Sequence, residues 1–195
     1  MGIMKDAETR TRILDTAQDL IQRLGVNAMS YQHISDAVGI RKASIHHHFP
    51  TKEKLVDTVL ERYSAYFFDL VDNILQSKLS PRGKLQKYID LFEATLKSDC
   101  GDKACLYGMI GAEIETLGLE SAAKVKHFHE GNEARLTKLL VEGIENKTFG
   151  FKGDPKVTAA LIFSLLEGAL LIVRAKGGVK QFRRITSQLM TLLEA

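Results

Sequence analysis

Residues Ser30 to Leu55 read SYQHISDAVGIRKASIHHHFPTKEKL. Ser30 is a good N-cap for a short helix carrying Ile34, Ala37 and Val38 on one side, and Gly39 stops that helix. A second short helix runs from Arg41 to His48 and is closed by Pro50, whose ring disfavours helical geometry at the residue before it. Between them, VGIRK makes a tight turn in which Gly39 accepts a positive φ without strain. Two short helices about such a turn, preceded by a longer one, form a helix-turn-helix, whose last member can enter the major groove of DNA. Ile34, Val38, Ile40, Ile45 and Phe49 fall on the seam the two helices share, which leaves Arg41, Lys42, Ser44, His46 and His47 pointing outward. These side chains can donate to phosphate oxygens or base edges, and the first turn of the following helix adds Lys52 and backbone N–H groups that favour an anion.

The rest of the chain is also helical by its apolar periodicity. Working outward, Ile13, Ala17, Leu20, Ile21 and Leu24 recur at three and four within a first helix from Ala7 to Leu24. Thr51 caps a long helix to about Gln76. Further helices are expected at about residues 82–97, 104–117, 120–146, 154–175 and 179–193, and the strand-like stretch 148–152 reads as a loop. The expected fold is therefore all-α with about nine helices.

Composition narrows the function classes. The 195 residues are 45% hydrophobic, enough to bury a core, and the net charge is only +3. No apolar run is expected to cross a bilayer and the amino end lacks a secretory pattern, so the protein is expected in the cytoplasm with no membrane partner. Two cysteines, Cys100 and Cys105, are too few for a disulfide scaffold. They flank a loop and offer a redox or electrophile switch as one alternative to inert thiols. Between Arg41 and Lys54, four cations face one acid, Glu53, so positive charge gathers where the motif would present it.

The three consecutive histidines raise two other readings. Neighbouring helical residues point about 100° apart, so His46, His47 and His48 do not converge on one metal. No Ser, Cys or carboxylate stands beside them at a catalytic spacing. The chain offers no nucleophile elbow, phosphate loop or metal signature, so no enzyme activity and no cofactor or metal is expected. His48 is expected to pack or cap within its own domain.

SYQHISDAVGIRKASIHHHFPTKEKL resembles the DNA-binding signature of the TetR family of bacterial transcriptional regulators, over about residues 8–60. The shared pattern is a Ser/Thr cap, an Ile four residues on, a glycine turn, a short recognition helix ending in histidine and phenylalanine, then K-E-x-L. Arg41 stands where the family commonly has a Ser or Thr cap, and His46 where it often has a tyrosine. The resemblance implies a helix-turn-helix domain at residues 1–50, a connecting helix at 51–76, and a larger ligand-binding and dimerisation domain over 51–195. It implies a homodimer on a double-stranded, inverted-repeat operator, most simply a repressor released by a small-molecule effector. An activator of the same family, or a helical ligand-binding protein acting through a protein partner, are the alternatives.

The expected DNA-facing set is Arg41, Lys42, Ala43, Ser44, His46, His47 and Lys52. Tyr88, Phe92, Met109, Glu113, Phe128 and Glu167 are candidates for a ligand pocket, being aromatic, soft or acidic at inward positions. His127 and His129 diverge on a helix and are not expected to act as ligands. In the last two helices Leu161, Leu165, Gly168, Ile172, Phe182, Ile185 and Leu189 are the expected dimer interface. A helix-interior glycine costs about 1 kcal/mol against alanine, which makes sense where a second backbone approaches.

Overall fold

The computed structural model describes residues 2–97 and 102–194. Among them nine α-helices follow one another without a strand: α1 Gly2–Leu24, α2 Tyr31–Val38, α3 Lys42–His48, α4 Lys52–Gln76, α5 Pro81–Lys97, α6 Leu106–Gly111, α7 Leu119–Glu145, α8 Pro155–Ala175 and α9 Gly178–Glu194. A single 3-10 turn, Ile114–Thr116, stands between α6 and α7. The segment 148–152 is loop, as its length suggests. The Cys100 expectation falls outside the described residues.

Packing gathers the chain into two compact units, one of residues up to Ser64 with Leu106–Lys126, the other of Ala65–Cys105 with the residues from His127 onward. The first turns of α4 and all of α6 thus pack with the amino-terminal helices.

In the first unit, α1 packs on α2 and α6, and α2 on α3. The period-3.6 face of α1 buries Ile13, Ala17 and Ile21 with Ile34, Ile45, Leu55, Val59, Leu60, Leu106 and Ile110. Each such side chain contributes about 1.5–3 kcal/mol when withdrawn fully from water. Tyr107 is also buried, and its hydroxyl donates to the Leu60 carbonyl at 3.0 Å. The helix expected over 104–117 is shorter in the structure. After Gly111 the chain tightens, with Glu113 N–H donating to the Ile110 carbonyl at 3.0 Å and Thr116 N–H to the Glu113 carbonyl at 2.9 Å.

In the second unit, α8 packs on α9 and α5, and α5 on α9. Ile162, Leu166, Leu170 and Val173 of α8 are buried with Leu85 and Ile89 of α5 and Phe182, Met190 and Leu193 of α9. Arg135 clamps Asp72 with two bonds of 2.8 and 2.7 Å, and its guanidinium lies 4.0 Å over the Phe68 ring. The expectation that no apolar run reaches membrane-spanning length needs correcting: α8, at 21 residues, is long and apolar enough by length and composition. Its buried face, from Ala159 to Val173, is spent on the core of this unit.

Candidate functional site

The turn between α2 and α3 is built from short-range bonds. Ser30, in extended geometry, accepts the His33 N–H on its hydroxyl at 3.3 Å, which satisfies one free donor of α2. Gly39 takes the left-handed conformation at φ 73°, and its N–H and that of Ile40 both donate to the Ser35 carbonyl, at 2.9 and 3.2 Å. Ser35 returns the contact by donating its hydroxyl to the Ile40 carbonyl at 2.6 Å. Arg12 of α1 donates to the last carbonyl of α2, Val38, at 2.7 Å, a cation placed at the negative end of a helix.

The far end of α3 is held as firmly. Phe49 is buried beneath the Arg10 guanidinium, 5.1 Å from the ring centre, and the Tyr31 hydroxyl donates to the Phe49 carbonyl at 2.7 Å. Burial pushes the Tyr31 phenol up to about 12, so it keeps its proton as a donor. Arg10, Arg12 and Tyr31 were not legible as braces, because their partners lie elsewhere in the chain.

With both ends fixed, α3 turns Arg41, Lys42, Ala43, His46 and His47 to solvent and leaves Ser44 half-buried. Arg41 supplies no side-chain cap, as expected from the missing hydroxyl, and its cationic group stays exposed. His46 lies against the Tyr31 ring, 4.7 Å between centres, with Nδ1 at 3.3 Å from the Pro50 carbonyl. His48 turns the other way, half-buried, with Nε2 at 3.6 Å from Asp6. Gln32 and His33 of α2 and Lys54 of α4 are exposed as well.

Lys52, expected on phosphate, lies apart from this exposed row. Its side chain is half-buried and its ammonium donates to the Asn27 carbonyl at 3.5 Å. Burial lowers its pKa, while the Glu113 carboxylate opposes that shift. A lysine held in this way has turned inward to the turn between α1 and α2.

The pocket candidates divide between the two units. Met109 and Glu113 belong to the first; Tyr88, Phe92, Phe128 and Glu167 to the second. Glu113 is corrected from pocket wall to structural acceptor, since its Oε2 takes the Val26 N–H at 2.6 Å and the Asn27 N–H at 3.1 Å. Thr116 adds a 3.1 Å bond from the Asn27 side chain. Gly25, at φ 89°, leaves the room this needs, because a Cβ there would stand 2.5 Å from Glu113 Oε1.

In the second unit the rings do meet. Tyr88 and Phe92 lie 5.4 Å apart, Phe67 is 5.4 Å from Phe128, and Phe163, which sequence reasoning missed, is 6.3 Å from Phe92 and 6.4 Å from Phe128. The buried Tyr88 hydroxyl donates to Asn132 at 2.9 Å, and Asn132 in turn donates to the Phe128 carbonyl at 2.9 Å. Burial raises the Glu167 carboxyl to about 7, and a hydrogen bond with the buried Cys105 thiol works against that rise. Among the described residues no three His, Cys, Asp or Glu side chains gather as a metal set.

The expected dimer interface splits. Leu161 and Ile172 of α8 are 62% and 65% exposed, and Leu165, Gly168 and Ile185 are half-buried. A Cβ on Gly168 would meet nothing within 4 Å, so the protomer itself does not require a glycine there. Phe182 and Leu189 are corrected to core residues, at 0% and 5% exposure. The periodicity of α9 marks one apolar face, and its Phe182 and Leu189 positions are turned into its own unit. Val157, Leu171 and Leu192, on the same two helices, are exposed apolar residues as well.

Residues 13–59 match the family model described as bacterial regulatory proteins, tetR family. A TetR transcriptional regulator from Legionella pneumophila is 31% identical in sequence, with TM-score 0.82 over 93% of this chain and 95% of that one. A TetR-family regulator from Agrobacterium tumefaciens is 29% identical, with TM-score 0.91 over 97% of this chain and all of the other. The HTH-type transcriptional repressor NemR of Escherichia coli K12 is 27% identical over 168 residues, 84% of this chain and 83% of the relative. With a helix-turn-helix that presents a cationic face, and with this likeness along almost its whole length, the chain belongs to the TetR family and is a DNA-binding transcriptional regulator.

Proposed function

We propose that the protein is a repressor that binds an inverted-repeat operator as a homodimer and leaves it when a small molecule occupies the second unit. The single observation that carries the DNA side is the exposed row Arg41, Lys42, His46 and His47 on a short helix pinned at both ends. Ala43 and the Ser44 hydroxyl lie on the same helix, within reach of a base edge. Residues 1–50 act as the reading head. In a dimer, two such heads spaced about 34–36 Å apart fit successive major grooves. Bound there, in the cytoplasm, the protein obstructs transcription. The names of relatives support repression over activation, NemR and KstR2 both being called repressors.

Leu161, Ile172, Val157 and Leu171 on α8 and Leu192 on α9 supply the apolar surface for self-association. Release follows from differential affinity: a ligand that prefers a conformation with the wrong head spacing draws population away from DNA. No bond chemistry is involved.

The test is binding to duplex DNA over a salt series, read by fluorescence anisotropy. Phosphate contacts make affinity fall steeply with salt, whereas a protein acting through a protein partner shows no such slope. A flat salt dependence, or a monomer at working concentration, overturns this reading.

A further inference from the structure

We propose that Glu167 and the rings around it form a binding site for a lipophilic organic cation, whose charge meets the carboxylate while its body lies against Phe92, Phe128 and Phe163. This names the class of ligand for the effector site and so rests on the reading that the second unit receives an effector.

The starting observation is a pair of polar atoms closed off from solvent without a hydrogen-bond partner, Glu167 Oε1 and His129 Nε2. Buried polar groups are ordinarily paired, so each orphan asks what would complete it. Glu167 stands one turn beyond Phe163 on α8, so both project from the same helix face. The His129 ring lies 5.4 Å from the Phe163 ring and 6.4 Å from that of Phe128. Both orphans therefore border the same cluster of rings.

The charge inventory decides the class. The Cys105 thiol bonds the Glu167 carboxyl and brings no positive charge to it. The Tyr88 hydroxyl is committed to Asn132 at 2.9 Å, and burial keeps it protonated. Burial also lowers the pKa of His129, which favours the neutral ring. The Arg135 guanidinium, whose field reaches Tyr88, is tied to Asp72 by two bonds. No cation of the protein is among the influences on Glu167, which are burial and the Cys105 bond. An anionic ligand would find no countercharge there and would repel the carboxylate. A neutral donor could pair with Oε1 but would leave the charge of the ionised carboxylate unbalanced. A cation supplies the missing charge, and the faces of Phe92, Phe128 and Phe163 attract it further. Burial holds the carboxyl at about 7, so near neutral pH it is divided between its two forms, and a bound cation draws it into the ionised one.

The experiment is isothermal titration of the full-length protein, slightly above neutral pH, with three probes of one shape: benzyltrimethylammonium, its neutral carbon analogue neopentylbenzene, and the anion benzylsulfonate. The cation is expected to bind at least about tenfold more tightly than either other probe, and Glu167→Gln to remove about that factor for the cation alone. Glu167→Asp, which keeps the charge, is expected to retain a measurable preference for the cation. Equal binding of all probes by the unaltered protein, tighter binding of the anion, undetectable binding of every probe, or an undiminished cation affinity in a folded Glu167→Gln protein overturns the proposal. Duplex binding measured in parallel separates this from the wider reading. If DNA binding persists and the cation does not bind, the site alone falls. If the cation binds as expected yet leaves the DNA complex intact, the site stands and effector release falls.

Discussion

Replacing Gly25 with alanine probes the joint between the α1–α2 turn and the segment after α6. Gly25 sits at φ 89°, a region that costs an L residue about 1 kcal/mol. The added methyl would also stand 2.5 Å from Glu113 Oε1, so the flexible carboxylate must swing away. It then gives up the Val26 N–H, bonded at 2.6 Å, and the Asn27 N–H, bonded at 3.1 Å. The Asn27 N–H is exposed and water replaces its partner, whereas Val26 is buried. A charge-assisted bond to such a group is worth about 1.5–3 kcal/mol, so the displaced carboxylate costs about 2 kcal/mol. Gly25→Ala should therefore destabilise the first unit by about 3 kcal/mol and Glu113→Ala by about 2 kcal/mol. The double variant should lose no more than Gly25→Ala alone, because the bonds to Glu113 vanish only once. Urea unfolding of the four proteins, with amide exchange at Val26 as the local readout, gives the coupling, expected at about 2 kcal/mol. Additive losses, within about 0.5 kcal/mol, would refute the reasoning.

Other outcomes follow from the same geometry. Lys42→Ala should lower the salt slope of DNA binding by about one, while Lys52→Ala, whose ammonium is held at Asn27, should leave affinity within about threefold. Glutamate at Leu161 or Ile172, both well exposed, should separate copies in sedimentation without unfolding them; Phe182→Ala, in the core, should instead cost about 3–5 kcal/mol of stability. Glu93 is held at about 2, first by its hydrogen bond to Arg183 and then by Lys97, against an ordinary 4.5. Because the folded value is depressed, its stabilisation is complete above about pH 4.5 and fades as pH falls toward 2. Arg183 and Lys97 are 61% and 55% exposed, so solvent screening leaves about 1 kcal/mol; Glu93→Gln should flatten acid unfolding in that window.

What was legible in the chain was what short range dictates. Ser30, Gly39 and Pro50 mark the ends of α2 and α3 through local geometry, and the outward row on α3 follows from a seam between helices of only eight and seven residues. The inward turn of Lys52 was hidden, since its partner Asn27 lies 25 residues away. Glu113 was misread as a pocket wall for the same reason, its backbone partner Val26 being 87 residues distant. Periodicity identified the apolar face of α9 but not what covers it, so Phe182 and Leu189 passed for an interface while α8 carries the exposed row. Glu167 was legible as an acid at an inward position, but that its Oε1 is buried without a hydrogen-bond partner depends on packing the sequence does not display.

The most direct test of the central claim is to pass sheared genomic DNA over the purified full-length protein and sequence what is retained, beside a variant with Arg41, Lys42 and His47 all changed to alanine. The account predicts a small set of enriched fragments sharing an inverted repeat, with half-sites about one helical turn apart, and loss of that enrichment in the variant. Retention no different from bulk DNA, or an enriched set that survives the triple change, would contradict it.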